Sequence, residues 1–297
     1  MSSKMSMLGI DIGGTSAKLA WRDATGRWIL ESSTPYATPD RAGLVGSIRT
    51  VIDKIGGETP THVGLCLPGK MNLDKTEIEC SVNLPVLNGW RLDTLLDSIG
   101  IANTASCRVC SDAHAAGFDW VSENGASTQD APIHSDVRTA ALSLGTGVGL
   151  ALFDGHLLAR VGSRSTGHIG QLDVGRCGEA DRYDPLGARN TLETYIGARS
   201  LDVHRKYTVL DLSGLIDEDP PIRALIKALR TVHAFYVPER IVLLGGVGLA
   251  LRPLEKLLYD SVNKELTNLA NPGWVLVFGD SLHHAARGAA KLALEDP

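Results

Sequence analysis

The sequence predicts an α/β fold of two similar halves, and three observations carry that expectation. A strand–glycine turn–strand unit occurs twice. Strands alternate with helical patterns through the rest of the chain. The length, 297 residues, suits two cores of ordinary size better than one. The first unit is Leu8-Gly9-Ile10-Asp11-Ile12-Gly13-Gly14-Thr15, which re-enters an apolar run at Lys18-Leu19-Ala20-Trp21 and stops at Asp23-Ala24-Thr25-Gly26. The second is Leu142-Ser143-Leu144-Gly145-Thr146-Gly147-Val148-Gly149, continuing through Leu150-Ala151-Leu152-Phe153 to Asp154-Gly155. Alternating apolar residues interrupted by Gly and Thr read as hairpins.

Taken singly, each unit is an ordinary hairpin with a glycine turn. Taken together, they read as a clamp for the phosphates of ATP, because backbone without Cβ can approach phosphate closely and point its N–H groups inward. Asp11 adds a carboxylate suited to hold Mg2+ through water. Lys18, closing a hairpin strand, reads as a solvated lysine and not as a phosphate ligand.

The remaining elements follow in order. Residues 31–40 are polar, and 42–55 have helical periodicity. Residues 61–67 read as a strand stopped by Pro68-Gly69, and 90–99 as a helix. A short strand at 108–110 leads into Asp112-Ala113-His114-Ala115-Ala116-Gly117, a helix start capped by Ser111 or Asp112. Residues 122–136 form a polar loop, and 160–193, rich in Gly, Arg and Asp, a long loop of the kind that is functional or mobile. A helix at 219–237 precedes a strand at 240–244, the turn Gly245-Gly246-Val247-Gly248, and a helix from about Pro253. A strand at 275–278 and a helix at 283–294 close the chain.

Composition narrows the function classes. Hydrophobic residues make up 43% and charged residues 21%, as in soluble globular proteins, and the net charge of −5 favours neither nucleic acid nor an anionic membrane as partner. No apolar run approaches the ~20 residues of a membrane helix. Met1 to Met7 lead straight into a strand, so no signal peptide is expected. Five irregularly spaced cysteines argue against a disulfide framework and for a reducing cytoplasm. Cys107-Arg108-Val109-Cys110 has CxxC spacing but falls on the expected strand, and no second CxxC completes a zinc site.

The two glycine turns, Ser111-Asp112-Ala113-His114-Ala115-Ala116 and Gly245-Gly246-Val247 occur in an order that resembles the ROK family of bacterial sugar kinases, in the actin–hexokinase superfamily. Pro68-Gly69, Asn83-Leu84-Pro85, Trp90 and Leu192-Glu193-Thr194-Tyr195 add to the likeness, which runs over nearly the whole chain. The resemblance implies two actin-like (ribonuclease H-like) lobes with a cleft between them, residues 1–113 plus 285–297 and residues 114–284, the last helix crossing back to the first lobe. It implies ATP and Mg2+ as cofactors and a small-molecule sugar or polyol as partner, and it leaves a homodimer open.

By the same resemblance, Asp112 is the general base that takes the proton of the attacking hydroxyl. Read without it, Asp112 is a helix cap. Asp11 positions Mg2+; Gly13, Gly14, Thr15, Gly145, Thr146 and Gly147 cradle phosphates; Gly245, Gly246 and Val247 match the nucleotide turn, which otherwise reads as a plain strand-to-helix turn. Gly69, Asn83, Leu84, Ser111, His168, Gln171 and Glu193 fall at substrate positions.

The sugar side departs from the family. Ser111 stands where the family has Asn. Gly167-His168-Ile169-Gly170-Gln171 stands for Gly-Glu-Ile-Gly-His, so the sugar-binding Glu is His168 and the zinc-ligating His is Gln171. His168 reads equally as a surface-loop histidine. Only Cys177 remains near the family's cysteine cluster, and one Cys cannot supply four ligands, so no zinc is expected. The expected function is ATP-dependent phosphorylation of a sugar-like hydroxyl. The alternative is a non-catalytic nucleotide or sugar sensor. The family's DNA-binding repressors are disfavoured because only Met1 to Met7 precede the first strand.

Overall fold

The computed structural model describes residues 6–55, 60–101, 106–124, 137–160, 168–203 and 212–295. Most of the expected loop at 122–136, and residues 161–167 with Gly167, lie outside the described residues. The protein is α/β. It divides into two compact units, residues 1–119 with 283–297, and 120–282.

Unit 1 opens with the expected hairpin, β1 (Met7–Ile12) and β2 (Ala17–Arg22). A third strand, β3 (Trp28–Ser32), takes up part of the stretch read as polar. Its alternation is weak because its face is only partly covered, with a burial pattern of half-buried and exposed residues. Helix α1 (Arg41–Ile55) buries Leu44, Ile48, Val51 and Ile55, the i, i+4, i+7 spacing of one helical face. Strand β4 (His62–Cys66) follows. A small sheet comes next, β5 (Lys70–Met71), β6 (Glu77–Cys80) and β7 (Trp90–Arg91), and then α2 (Leu92–Ser98). The segment read as one helix from 90 therefore begins as a strand: Trp90 and Arg91 pair with β6 before the helix starts. Strand β8 (Ser106–Cys110) carries both cysteines of the CxxC and runs into α3 (Asp112–Asn124).

Unit 2 repeats the plan. The hairpin β9 (Arg138–Leu144) and β10 (Val148–Asp154) continues into β11 (Leu157–Leu158). The loop read between 160 and 193 contains a 3-10 turn at Ile169–Gln171 and two isolated bridges, Asp173 with Thr191 and Tyr183 with Arg189. Then come α4 (Leu192–Ile196), α5 (Ala198–Val203), α6 (Pro220–Tyr236), β12 (Arg240–Leu244), α7 (Gly245–Ala250), α8 (Glu255–Glu265) and β13 (Val275–Phe278); α9 (His284–Leu292) belongs to unit 1. The main sheets have matching orders, β3-β2-β1-β4-β8 and β11-β10-β9-β12-β13. In each, an antiparallel meander is extended by two parallel strands.

Helix α9 lies directly on the unit 1 sheet. A Cβ on Gly9 or Gly64 would run into the backbone of Ala286 or Ala289, and one on Gly288 into Ala115 of α3. Only glycine permits so close an approach. The helix is also tied to α3 by charge. Asp119 is fully buried and meets three nitrogen-bearing side chains one to two turns apart on α9: His284 Nδ1 at 2.7 Å, Arg287 Nη2 at 2.7 Å and Lys291 Nζ at 2.6 Å. Burial by itself would raise the Asp119 pKa; the His284 hydrogen bond and the Lys291 and Arg287 charges outweigh it and hold the carboxyl below its ordinary value.

Candidate active site

In unit 1 the functional candidates share one edge of the sheet. Asp11, Cys66 and Cys110 stand opposite one another on β1, β4 and β8, so the three parallel strands end together. The loops beyond them carry Gly13–Thr15, Pro68-Gly69 and Ser111-Asp112. The Cys66 thiol is raised by its 3.6 Å contact with Cys110 Sγ, next by burial, and further by the negative charges of Asp11 and Asp112, which places both carboxylates near that edge.

Ser111, exposed beside Asp112, is the cap of α3: its Oγ accepts the N–H of His114 at 3.3 Å. Asp112 is the first helical residue, exposed, with Oδ1 accepting the N–H of Ala113 at 2.8 Å. Between the two caps weighed from sequence, the hydroxyl takes the position, and the carboxylate is displayed at the positive end of a thirteen-residue helix.

The Gly13–Ser16 turn is stiff. Gly13 N–H donates to Ser16 O at 3.0 Å, Tyr36 N–H to Thr15 O at 2.8 Å, and the Tyr36 hydroxyl to Gly13 O at 2.7 Å. Asp11 is 8% exposed, and burial raises its pKa against the opposing effect of Lys18. Lys18 is not the solvated lysine that sequence suggested. Its side chain is only 22% exposed and its Nζ stands 3.6 Å from Asp11 Oδ2. The reason is register: a four-residue turn pairs Ile12 with Ala17 and therefore Asp11 with Lys18. Gly69 backs onto Cys80 and Ser81, just before half-buried Asn83. Leu84 is 1% exposed and part of the core, so only its backbone can face a ligand.

In unit 2 the edge is formed by the Gly145–Gly147 turn and by Gly245 at the head of α7. Leu244 pairs with Ser143, which brings the two turns side by side. Gly245 has φ of +81° and packs on the Leu144 backbone, two demands that glycine meets without strain. Val247 is buried in the core, so it supports the turn. Gly145 N–H donates to Gly147 O at 3.0 Å, and Ala198 N–H to Gly145 O at 2.8 Å; Thr146 and Gly147 are half-buried.

Glu193, half-buried, joins this turn to the 3-10 segment. Its Oε2 accepts the Val148 N–H at 3.0 Å and lies against Gly170. His168 and Gln171 are exposed at the two ends of that segment, linked by the Gln171 N–H to His168 O bond at 3.0 Å. Cys177 is buried, its Sγ 3.6 Å from Lys227 Nζ. Among the described residues no three His, Cys, Asp or Glu side chains converge on a metal position, and no helix is long and apolar enough to cross a membrane.

A profile of the ROK family matches residues 7–296. The chain belongs to the ROK family. Solved structures agree in fold. A ROK family glucokinase from Streptomyces griseus, in complex with glucose and AMPPNP, aligns at TM-score 0.67 and 19% identity over 97% of this chain and 99% of its own. A ROK hexokinase from Thermus thermophilus gives 0.65 and 19% over 97% and 98%. A ROK family transcriptional regulator, homologous to the E. coli MLC protein, gives 0.69 and 16% over 98% of this chain and 78% of its own. The ROK fold therefore carries both kinases and a regulator at similar structural distance from this chain. No curated protein sequence matches it.

Proposed function

We propose that this ROK protein transfers the γ-phosphoryl group of ATP to a hydroxyl of a sugar or sugar-like polyol. The observation that carries the reading is Asp112: an exposed carboxylate on the first residue of α3, on the same sheet edge as Asp11 and the stiff Gly13–Ser16 turn. In this reading Asp112 accepts the hydroxyl proton as the bond to phosphorus forms. Gly13, Gly14, Thr15, Gly145, Thr146, Gly147, Gly245 and Gly246 present backbone to phosphates, and Asp11 holds Mg2+ through water.

Asp11 is a buried carboxylate, and among the described residues no group of three His, Cys, Asp or Glu could hold a metal, which fits an ion that keeps most of its waters and shares the nucleotide's phosphates. When bound, that ion supplies charge neutralisation at the transferring phosphoryl group. Ser111, Gly69, Asn83, the Leu84 backbone, His168, Gln171 and Glu193 are assigned to the acceptor, and no zinc is assigned. A non-catalytic sensor is the competing reading, and the regulator among the structural relatives is what favours it. ADP release over a panel of sugars, amino sugars and polyols separates the two. Turnover with any acceptor establishes the kinase, and none with every acceptor tried removes it.

Two outcomes are expected in this region. Gly145→Val should weaken ATP binding by about tenfold or more, since a branched side chain fills space the phosphate needs. A Cβ at Gly145 meets no atom within 4 Å, so the fold should tolerate it. Calorimetric ATP affinity equal to wild type, with an unchanged melting temperature, would take the second turn out of the site.

The acceptor side should disfavour glucose. A carboxylate can accept two hydroxyl hydrogen bonds where a neutral imidazole accepts one. A hydroxyl buried without its acceptor costs roughly 1–3 kcal/mol, or about tenfold and more in affinity. His168→Glu combined with Gln171→His should therefore raise kcat/KM for glucose. Efficient glucose phosphorylation by the unmodified protein would contradict this.

A further inference from the structure

We infer that unit 2 carries a small-molecule site apart from its glycine turns: a cavity between α6 and α8 that takes an uncharged, largely apolar molecule bearing a hydroxyl, which hydrogen-bonds to His233. The inference does not depend on the kinase reading. The cavity encloses about 660 Å3, inside the roughly 300–1,000 Å3 of small-molecule sites. Its lining comes from the last turns of α6, the end of α8 with the residues after it, and the stretch Leu172–Val174. Helix α6 ends just before β12 begins, and Trp274, on which His233 packs, stands just before β13. The cavity therefore lies at the starting ends of these strands, whereas Gly245 follows the finishing end of β12.

The lining sets the chemistry of the occupant. Leu172, Val174, Val237, Leu266 and Leu269 make the cavity largely apolar. Lys227 and Arg230 are matched in number by Asp173 and Glu265, so a charged ligand finds no net opposite charge. These polar side chains are also engaged with the protein. Lys227 Nζ donates to Val174 O at 2.6 Å, Arg230 pairs with Glu265 at 2.6 Å, and Asp173 Oδ1 accepts the Gly175 N–H at 2.7 Å. The Thr231 hydroxyl donates to Lys227 O, and Thr267 Oγ1 accepts the Leu269 N–H.

His233 is the exception. It is 2% exposed, and neither ring nitrogen has a hydrogen-bond partner among the described residues. Burial pushes its pKa down to about 4, so the ring is neutral near pH 7 and offers one donor and one acceptor. Buried polar groups are ordinarily paired, and a hydroxyl, itself both donor and acceptor, can pair with either nitrogen.

The competing role is packing alone, since the imidazole meets Trp274 edge to face with centroids 4.6 Å apart. Fluorescence titration with naphthol, and with naphthalene as the hydroxyl-free control, distinguishes the two. The proteins are wild type, His233→Phe and Ala234→Trp, with thermal melts to confirm folding. Phenylalanine keeps a flat ring against Trp274 and removes both nitrogens. Ala234 lines the cavity and is itself exposed, so tryptophan there fills the space without entering the core. Wild type should bind naphthol saturably, one per chain. His233→Phe should weaken naphthol by about tenfold while leaving naphthalene unchanged, and Ala234→Trp should remove both. Should His233→Phe fail to fold, His233→Leu carries the same comparison. No saturable naphthol binding by wild type, equal naphthol affinity in wild type and the His233 variant, or full binding in Ala234→Trp overturns the inference.

Discussion

Replacing Asp112 by asparagine is expected to lower phosphoryl transfer by on the order of a hundred- to ten-thousand-fold while leaving ATP affinity nearly intact. The exchange preserves size and the hydrogen bond that Oδ1 accepts from the Ala113 N–H, so α3 should begin at the same residue. What disappears is the proton acceptor. Because the Ser111 hydroxyl rather than Asp112 caps α3, the variant should lose little stability, and the rate effect should stand apart from any folding effect. The measurement is single-turnover transfer with a good acceptor, alongside calorimetric ATP binding. A rate near wild type would show that another group takes the proton.

The second large effect concerns stability. Asp119→Ala is expected to destabilise the protein by about 3–5 kcal/mol, because it removes the buried carboxylate that His284, Arg287 and Lys291 all contact. Equilibrium denaturation in urea would measure it, and a loss below ~1 kcal/mol would mean that water or rearrangement compensates.

The same cluster sets a pH dependence with a definite sign. The Asp119 pKa is depressed in the folded protein, so the unfolded chain binds the proton more readily as acid is added. Its contribution is complete above the unfolded carboxylate value of about 4 and is lost as pH falls through the lower, folded value. Asp119→Ala should therefore flatten the stability curve below about pH 4.

Both effects bear on one helix. Asp112 heads α3 and Asp119 anchors it to α9, so the proposed catalytic role and the stabilising role fall on different residues of the same element. The sequence pointed to the first and not to the second. Asp112 follows a strand and precedes a helical pattern, a local signal. Asp119 and its partners are some 165 residues apart in the chain, and nothing local links them.

The sequence by itself determined the α/β class, the two hairpins, the strands at 61–67, 240–244 and 275–278, and the helices that separate them. These depend on short-range alternation, helical spacing and glycine punctuation, all of which act within a few residues. It also determined ROK membership, through motifs that keep their order. Tertiary structure decided the rest. The edge strand β3 was hidden because a partly exposed strand has no apolar face to display. The helix read from Trp90 starts two residues later, because β6 offered hydrogen bonds to Trp90 and Arg91. Leu84 and Val247 went to the core, while Asn83 and Gly246 beside them stayed half-buried. Lys18 became a partner of Asp11 through hairpin register, which local composition does not encode, although a four-residue turn between the strands implies it. In each case the deciding energy is a contact between residues distant in sequence or across a strand pair, and such contacts exist only once the chain has folded.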